Sequence, residues 1–172
     1  MKRTTFALLF SAAGYVAYTQ TFEGGRGWIS EFDLATKQLL ALAEATPAEK
    51  FAWRPGPGVR STSEVYMHVA VGNYWLLGQA GLKLPAGAPK IAQNTETAVS
   101  AKADVIQWLK GSNNAVHDAY PKADRQKAVK FFGRDVTADD VLLRILVHNH
   151  EHMGQLIGYA RMSGVVPPWS AK

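Results

Sequence analysis

A pair of histidines set into an apolar helical stripe constrains this chain more than any other feature. His148 and His152 stand four residues apart within the run Ala138 to Ser163. In a helix that spacing stacks both imidazoles on one face, one turn apart, where they can grip the same metal ion. The same stripe carries Val141, Ile145, Tyr159 and Met162, all residues of core type, so the pair is expected to face inward. Imidazoles turned inward need partners, and a divalent cation with a third ligand satisfies both at once. Thr137-Ala138-Asp139-Asp140 opens this helix with a capping signature, and Gly164 with Pro167-Pro168 closes it.

Three further stretches carry helical signals. Trp28 to Ala45 gathers Ile29, Phe32, Leu39, Leu40 and Leu42 near one face, and Thr46-Pro47 ends it, because proline cannot continue a helix. Pro47 to Lys50 suggests a short helical turn. After the loop Trp53-Arg54-Pro55-Gly56-Pro57-Gly58, Ser61-Thr62-Ser63-Glu64 has the spacing of a capping box and opens a second helix. Its inward stripe is expected to hold Val65, His68, Val71 or Gly72, and Trp75. Gly78 to Pro89 reads as a connection. A third helix is expected from Asn94-Thr95 through Val99, Ile106, Leu109 and Val116, weakened in the middle by Gly111-Ser112-Asn113-Asn114. Pro121 to Asp135 is polar and basic around Val129-Lys130-Phe131-Phe132-Gly133, a short strand or hairpin. Four amphipathic helices without repeated strand signals predict an all-α four-helix bundle.

Two ligands on one helix leave a metal site incomplete, since a catalytic-type zinc centre takes three protein ligands and keeps a position for water. Of the five histidines, His68 is the best third ligand, because it lies on the inner stripe of the second helix. His150 sits about 200 degrees around the helix from His148 and cannot easily join the same ion. His117 follows a polar segment and reads as exposed. The candidate site is His68, His148 and His152; histidines hydrogen-bonded in the core are the alternative. The His-Glu-x-x-His protease motif is absent: His150-Glu151 begins it, but Gly154 stands where its second histidine belongs. Glu151 is a weak candidate for a base, with a solvated helix glutamate as the plainer reading. Gln155 and Tyr159 continue the ligand stripe and are candidates to support the site or line a pocket.

Composition narrows the remaining classes. Apolar residues make up 47% and charged residues 19% of 172, which suits one folded domain with its own core. There is no cysteine, which removes disulfides, thiolate nucleophiles and Cys-based zinc sites. The formal charge of +5 is thinly spread, with a loose cluster at Lys122, Arg125, Lys127 and Lys130 that reads as a solvated connection. Without a basic helix or an aromatic-basic platform, no nucleic-acid partner is expected. Met1-Lys2-Arg3 followed by the apolar run Phe6 to Ala17 has the form of an export signal, too short for a confident membrane span. Residues 1–20 are therefore expected to be a signal peptide, with an uncleaved membrane anchor or an extra N-terminal helix as alternatives. Residues 21–27 form a flexible joint, and 28–172 the folded domain. Export to the periplasm or the extracellular space is expected, and a cytoplasmic location if the segment is not a signal.

Several motifs together resemble the DinB-like family. The first half matches through Ala48-Glu49-Lys50, Trp53-Arg54-Pro55, Val59-Arg60-Ser61 and Glu64-Val65-Tyr66-Met67-His68-Val69. The second half matches through His148-x-x-x-His152-x-Gly154-Gln155-Leu156, Tyr159-x-Arg161 and Gly164-x-x-Pro167-Pro168. These segments span nearly all of the chain after residue 28. The resemblance implies a four-helix bundle whose three histidines, falling on His68, His148 and His152, hold a divalent metal ion. Zinc or nickel is foremost, with iron, copper and manganese as alternatives. It also implies a metal-dependent enzyme of thiol-dependent transferase or hydrolase type acting on a small-molecule substrate, and a homodimer. A non-catalytic metal- or ligand-binding module is the alternative. Members of the family often carry a basic residue just before the Gly-Gln pair, where this chain has Met153. Small thiol cofactors are chiefly intracellular, so export would favour hydrolysis or ligand binding over thiol transfer.

Overall fold

The computed structural model describes residues 27–170; the expected signal and most of the joint lie outside them. Five helices and one hairpin follow in order: α1 Trp28–Ala45, α2 Thr62–Gln79, α3 Thr95–Ala98, α4 Lys102–Ala119, β1 Ala128–Phe131, β2 Arg134–Thr137 and α5 Ala138–Met162. The four long helices form the predicted bundle, with α2 packed between α4 and α5, and α1 closing the ring against both. Among the described residues no helix is long and apolar enough to cross a membrane.

Helix starts are set by side chains. Ser61 Oγ accepts from the Glu64 amide while Glu64 accepts from the Ser61 amide, a closed capping box at the head of α2. Thr137 and Asp140 make the same reciprocal pair at the head of α5. The other end of α1 is tied from a distance: Lys102 Nζ donates to the carbonyls of Glu44 and Thr46 at 2.7 Å each. This cation stands where the helix dipole is negative and carbonyls lack partners. It brings the start of α4 beside the end of α1. At the opposite end of the bundle Trp28 stacks on Tyr120, with ring centroids 4.2 Å apart.

Two apolar clusters fill the interior. One gathers Phe32, Leu76, Leu77, Val116, Val141, Leu142 and Ile145 near the hairpin. The other gathers Leu39, Leu42, Val65, Tyr66, Val69, Leu109 and Leu156 at the far end. Between them, at matching heights on three helices, lie the buried polar residues Asn73, Ser112, Asn113, His148 and Asn149. They are bonded across the helices. Asn149 Nδ2 donates to Asn73 Oδ1 at 2.7 Å, and Asn73 Nδ2 donates to Ser112 Oγ and Asn113 Oδ1.

The structure corrects three expectations. The third helix does not begin at Asn94. Thr95–Ala98 is a separate turn, and extended backbone at Val99 and Ala101 precedes α4. That break lets Lys102 reach the end of α1. Gly111 to Asn114 does not weaken α4, because the small residues there meet α2 closely; a Cβ on Gly111 would stand 2.8 Å from the Tyr74 hydroxyl. Trp75 and Met162 are not inward. Trp75 is 43% exposed and rests against the hairpin, while Met162 ends α5 at 67% exposed. The hairpin itself is present, antiparallel, with Phe131 opposite Arg134 and the two-residue loop Phe132-Gly133 between the strands.

Candidate metal centre

His68 on α2 and His148 and His152 on α5 meet where the polar layer reaches the surface. One ring nitrogen from each lies within 4.8 Å of the other two. His68 Nε2 and His148 Nε2 are 3.2 Å apart. Nitrogens bound at about 2.0–2.1 Å to a tetrahedral ion lie about 3.3–3.4 Å from one another. The spacing therefore suits two ligands of a single ion.

The outer nitrogens of two rings are held by hydrogen bonds. His68 Nδ1 lies 2.7 Å from Glu96 Oε1. A carboxylate only accepts, so this Nδ1 donates and leaves Nε2 with its lone pair free. His152 Nδ1 donates to Gln155 Oε1 at 2.9 Å, and Gln155 Nε2 in turn donates to the Tyr159 hydroxyl. Tyr159 is packed edge-on against Trp53. Both rings thus present Nε2 inward, the arrangement by which outer partners orient metal-binding imidazoles. The His68 Nε2 lone pair faces His148 Nε2 at 3.2 Å, where it meets either a proton carried by that nitrogen or a shared cation. The donor set, three imidazoles around one point, fits a divalent transition ion.

Burial holds the two imidazoles of α5 in the neutral form. His148 is only 7% exposed, and its pKa is pushed down to about 3, mainly by burial and further by His152, His68, Arg144 and Arg60. Burial also lowers the pKa of His152, against the opposing hydrogen bond that it donates to Gln155. His68 and Glu96 remain about a quarter exposed, so the cluster opens to solvent on the α2–α3 side.

Gly72 makes the closeness attainable. A Cβ at this position would stand 2.5 Å from His148 Cε1, well inside contact distance. Any side chain there would push the ring away.

The remaining candidates are placed elsewhere. Glu151 is exposed and pairs with Arg144 at 2.9 Å, so it has no bond to the cluster. His150 Nδ1 donates to the Leu146 carbonyl within its own helix. His117 is exposed beside Asp33 and Asp118. Two residues that join the cluster are not signalled by the sequence pattern: Glu96, and Arg60, whose Nε donates to Glu96 Oε2 at 3.0 Å. Glu96 lies 28 positions from His68 on a four-residue turn, and no local pattern joins them.

Residues 31–156 match the model of the DinB superfamily. Among curated proteins no relative matches the chain. Solved structures of DinB-like proteins share its fold. A DinB-like protein from Bacillus cereus ATCC 10987 superposes with a TM-score of 0.68 at 18% identity, covering 81% of this chain and 94% of the other. The DinB-like protein YjoA from Bacillus subtilis gives 0.60 at 13% identity, covering 84% and 98%.

Two outcomes follow from this geometry. Gly72→Ala is expected to weaken divalent-ion affinity by about 10–100-fold, as loss of ligand positioning does, while the helix itself gains propensity. Competition with a chelator measures this, and an unchanged affinity would show that His148 has room to spare. The second concerns acid. Unfolded histidine takes up a proton near pH 6.5, whereas folded His148 resists until about 3. Stability of the protein stripped of metal is therefore highest above pH 6.5 and declines as pH falls through that range. Denaturant midpoints between pH 6.5 and 5, above the carboxylate range, should fall, and fall less in His148→Gln. A flat midpoint in the unsubstituted protein contradicts the account.

Proposed function

Because the chain belongs to the DinB superfamily and gathers three inward-facing imidazoles at one point, we propose that it is a divalent-metal enzyme of the thiol-dependent transferase or hydrolase type. The observation that carries the reading is a set of three nitrogen donors, with His68 partly exposed, on the side of the cluster that opens to solvent. A closed structural site takes four protein ligands, while a catalytic one takes three and keeps a position for water or substrate. His68, His148 and His152 would hold the ion, with zinc or nickel foremost. Such an ion supplies Lewis-acid chemistry, lowering the pKa of a water or thiol that reaches it.

The chain's own residues do the rest. Glu96 fixes the His68 tautomer, Gln155 fixes that of His152, and Gly72 admits His148. Arg60, bound to Glu96 and exposed at the rim, offers positive charge where an anionic part of a small-molecule substrate would approach. Glu151, engaged by Arg144, takes no part in this reading. The reaction class rests on the family resemblance. Hydrolysis is favoured over thiol transfer if the apolar run Phe6 to Ala17 directs export.

The test is an open coordination position. The full chain, purified without chelator or histidine tag, is expected to carry about one divalent ion, and His148→Ala to lose it. After replacement by cobalt(II), the visible spectrum should change when azide or a small thiol is added. A spectrum indifferent to both would mean that the ion only staples α2 to α5, and the protein would be read as a binding module.

A further inference from the structure

The hairpin presents an aromatic surface that the bundle does not require. Phe131, Phe132 and Trp75 form one patch, with Phe131 and Phe132 centroids 4.5 Å apart and Trp75 within 6.0 Å of each. Phe132 is 79% exposed. It also has φ 48, and with Gly133 at φ 78 it makes a two-residue loop with both residues left-handed. Such loops favour Asn-Gly, and a side chain such as phenylalanine costs about 1–2 kcal/mol in that conformation. Phe132 is thus unfavourable by conformation and by exposure at once. Folding explains neither.

The surroundings are basic. Residues 122–135 carry Lys122, Arg125, Lys127, Lys130 and Arg134 against only Asp124 and Asp135. All five cations are exposed. Lys130 pairs with Asp135 and Arg125 stands near Asp139, while Lys122, Lys127 and Arg134 have no ion-pair partner among the described residues. The cluster that reads in sequence as a solvated connection therefore flanks an apolar tip.

The beginning of the chain arrives at this same end. Trp28 packs against the core cluster that Val129 and Phe131 also cover, and its ring lies on Tyr120, whose hydroxyl accepts from Arg125. The described chain thus begins at this end of the bundle, and the sequence before it carries the apolar run Phe6 to Ala17. We propose that this end of the bundle rests on an anionic membrane surface, with Phe132, Phe131 and Trp75 entering the interface and the unpaired Lys122, Lys127 and Arg134 meeting lipid phosphates. Aromatic residues at the interface with Lys and Arg reaching the headgroups are the recurring chemistry of such contacts. The apolar run points to a bilayer in preference to a nucleic acid or a second copy of the chain.

The absence of cysteine gives a direct test in the full chain. Phe132→Cys and Met162→Cys each create a single site for a nitroxide, one at the hairpin tip and one at the far end of α5. With vesicles of phosphatidylcholine and phosphatidylglycerol, the label at 132 is expected to collide severalfold more with oxygen and severalfold less with a water-soluble nickel chelate. The label at 162 should be unchanged. The proposal is overturned if the chain sediments with vesicles while position 132 stays aqueous, because residues 1–26 alone would then be the tether. It is equally overturned if the chain does not bind vesicles. Spin–spin broadening at 132 without lipid would assign the patch to a second copy, and immobilisation of the label by a single-stranded oligonucleotide would assign it to nucleic acid.

Discussion

The close approach of α2 to α5 at Gly72 and His148 is the constraint on which the rest depends. No Cβ fits between the helix and the ring, so the His148 imidazole lies directly against the α2 backbone. One position further along each helix, Asn73 and Asn149 are joined by a 2.7 Å hydrogen bond at full burial. A buried amide left unpaired costs about 1–3 kcal/mol, so sliding or rotating α5 against α2 would forfeit that bond. The contact and the bond together set a register, and the register puts His68 level with His148 and His152. Capping boxes at Ser61 and Thr137 set where both helices begin.

The polar layer divides the core in two. An uninterrupted apolar core would pack as well and would need no bonded amides; here Asn113 Nδ2 and Asn149 Oδ1 even remain without partners. Apolar clusters on either side carry the burial that holds the bundle. The middle layer gives the site a firm floor. Above it, Glu96 and Gln155 each occupy an outer ring nitrogen, so two of the inner nitrogens are acceptors before any ligand arrives. Burial and the nearby guanidinium groups keep His148 unprotonated. The protein thus prepares nitrogen donors in fixed directions, which is what binding a transition ion needs.

Much of this was legible in the residues, for identifiable reasons. Periodicity and capping signals are local, so the four long helices and the starts of α2 and α5 could be read directly. The i,i+4 pair places two imidazoles on one face by helix geometry alone, and His68 followed from its inner stripe. Gln155 and Tyr159 were found by continuing that stripe. Glu96 was not, because its contact with His68 spans 28 positions and depends on a turn that pattern alone merges into the next helix. Trp75 was misplaced for a related reason. It lies two turns beyond His68 on the same face, but at its height that face is covered by the hairpin and not by α5. Helical spacing tells which residues share a face, not what stands opposite.

The central claim is that three imidazole nitrogens converge on one ion. X-ray absorption at the metal edge of the loaded full chain measures this most directly. The account predicts three nitrogen neighbours at about 2.0–2.1 Å for zinc, with the outer-shell scattering of imidazole rings and an oxygen donor completing the shell. A shell made only of oxygens, or one with a single imidazole, would contradict it.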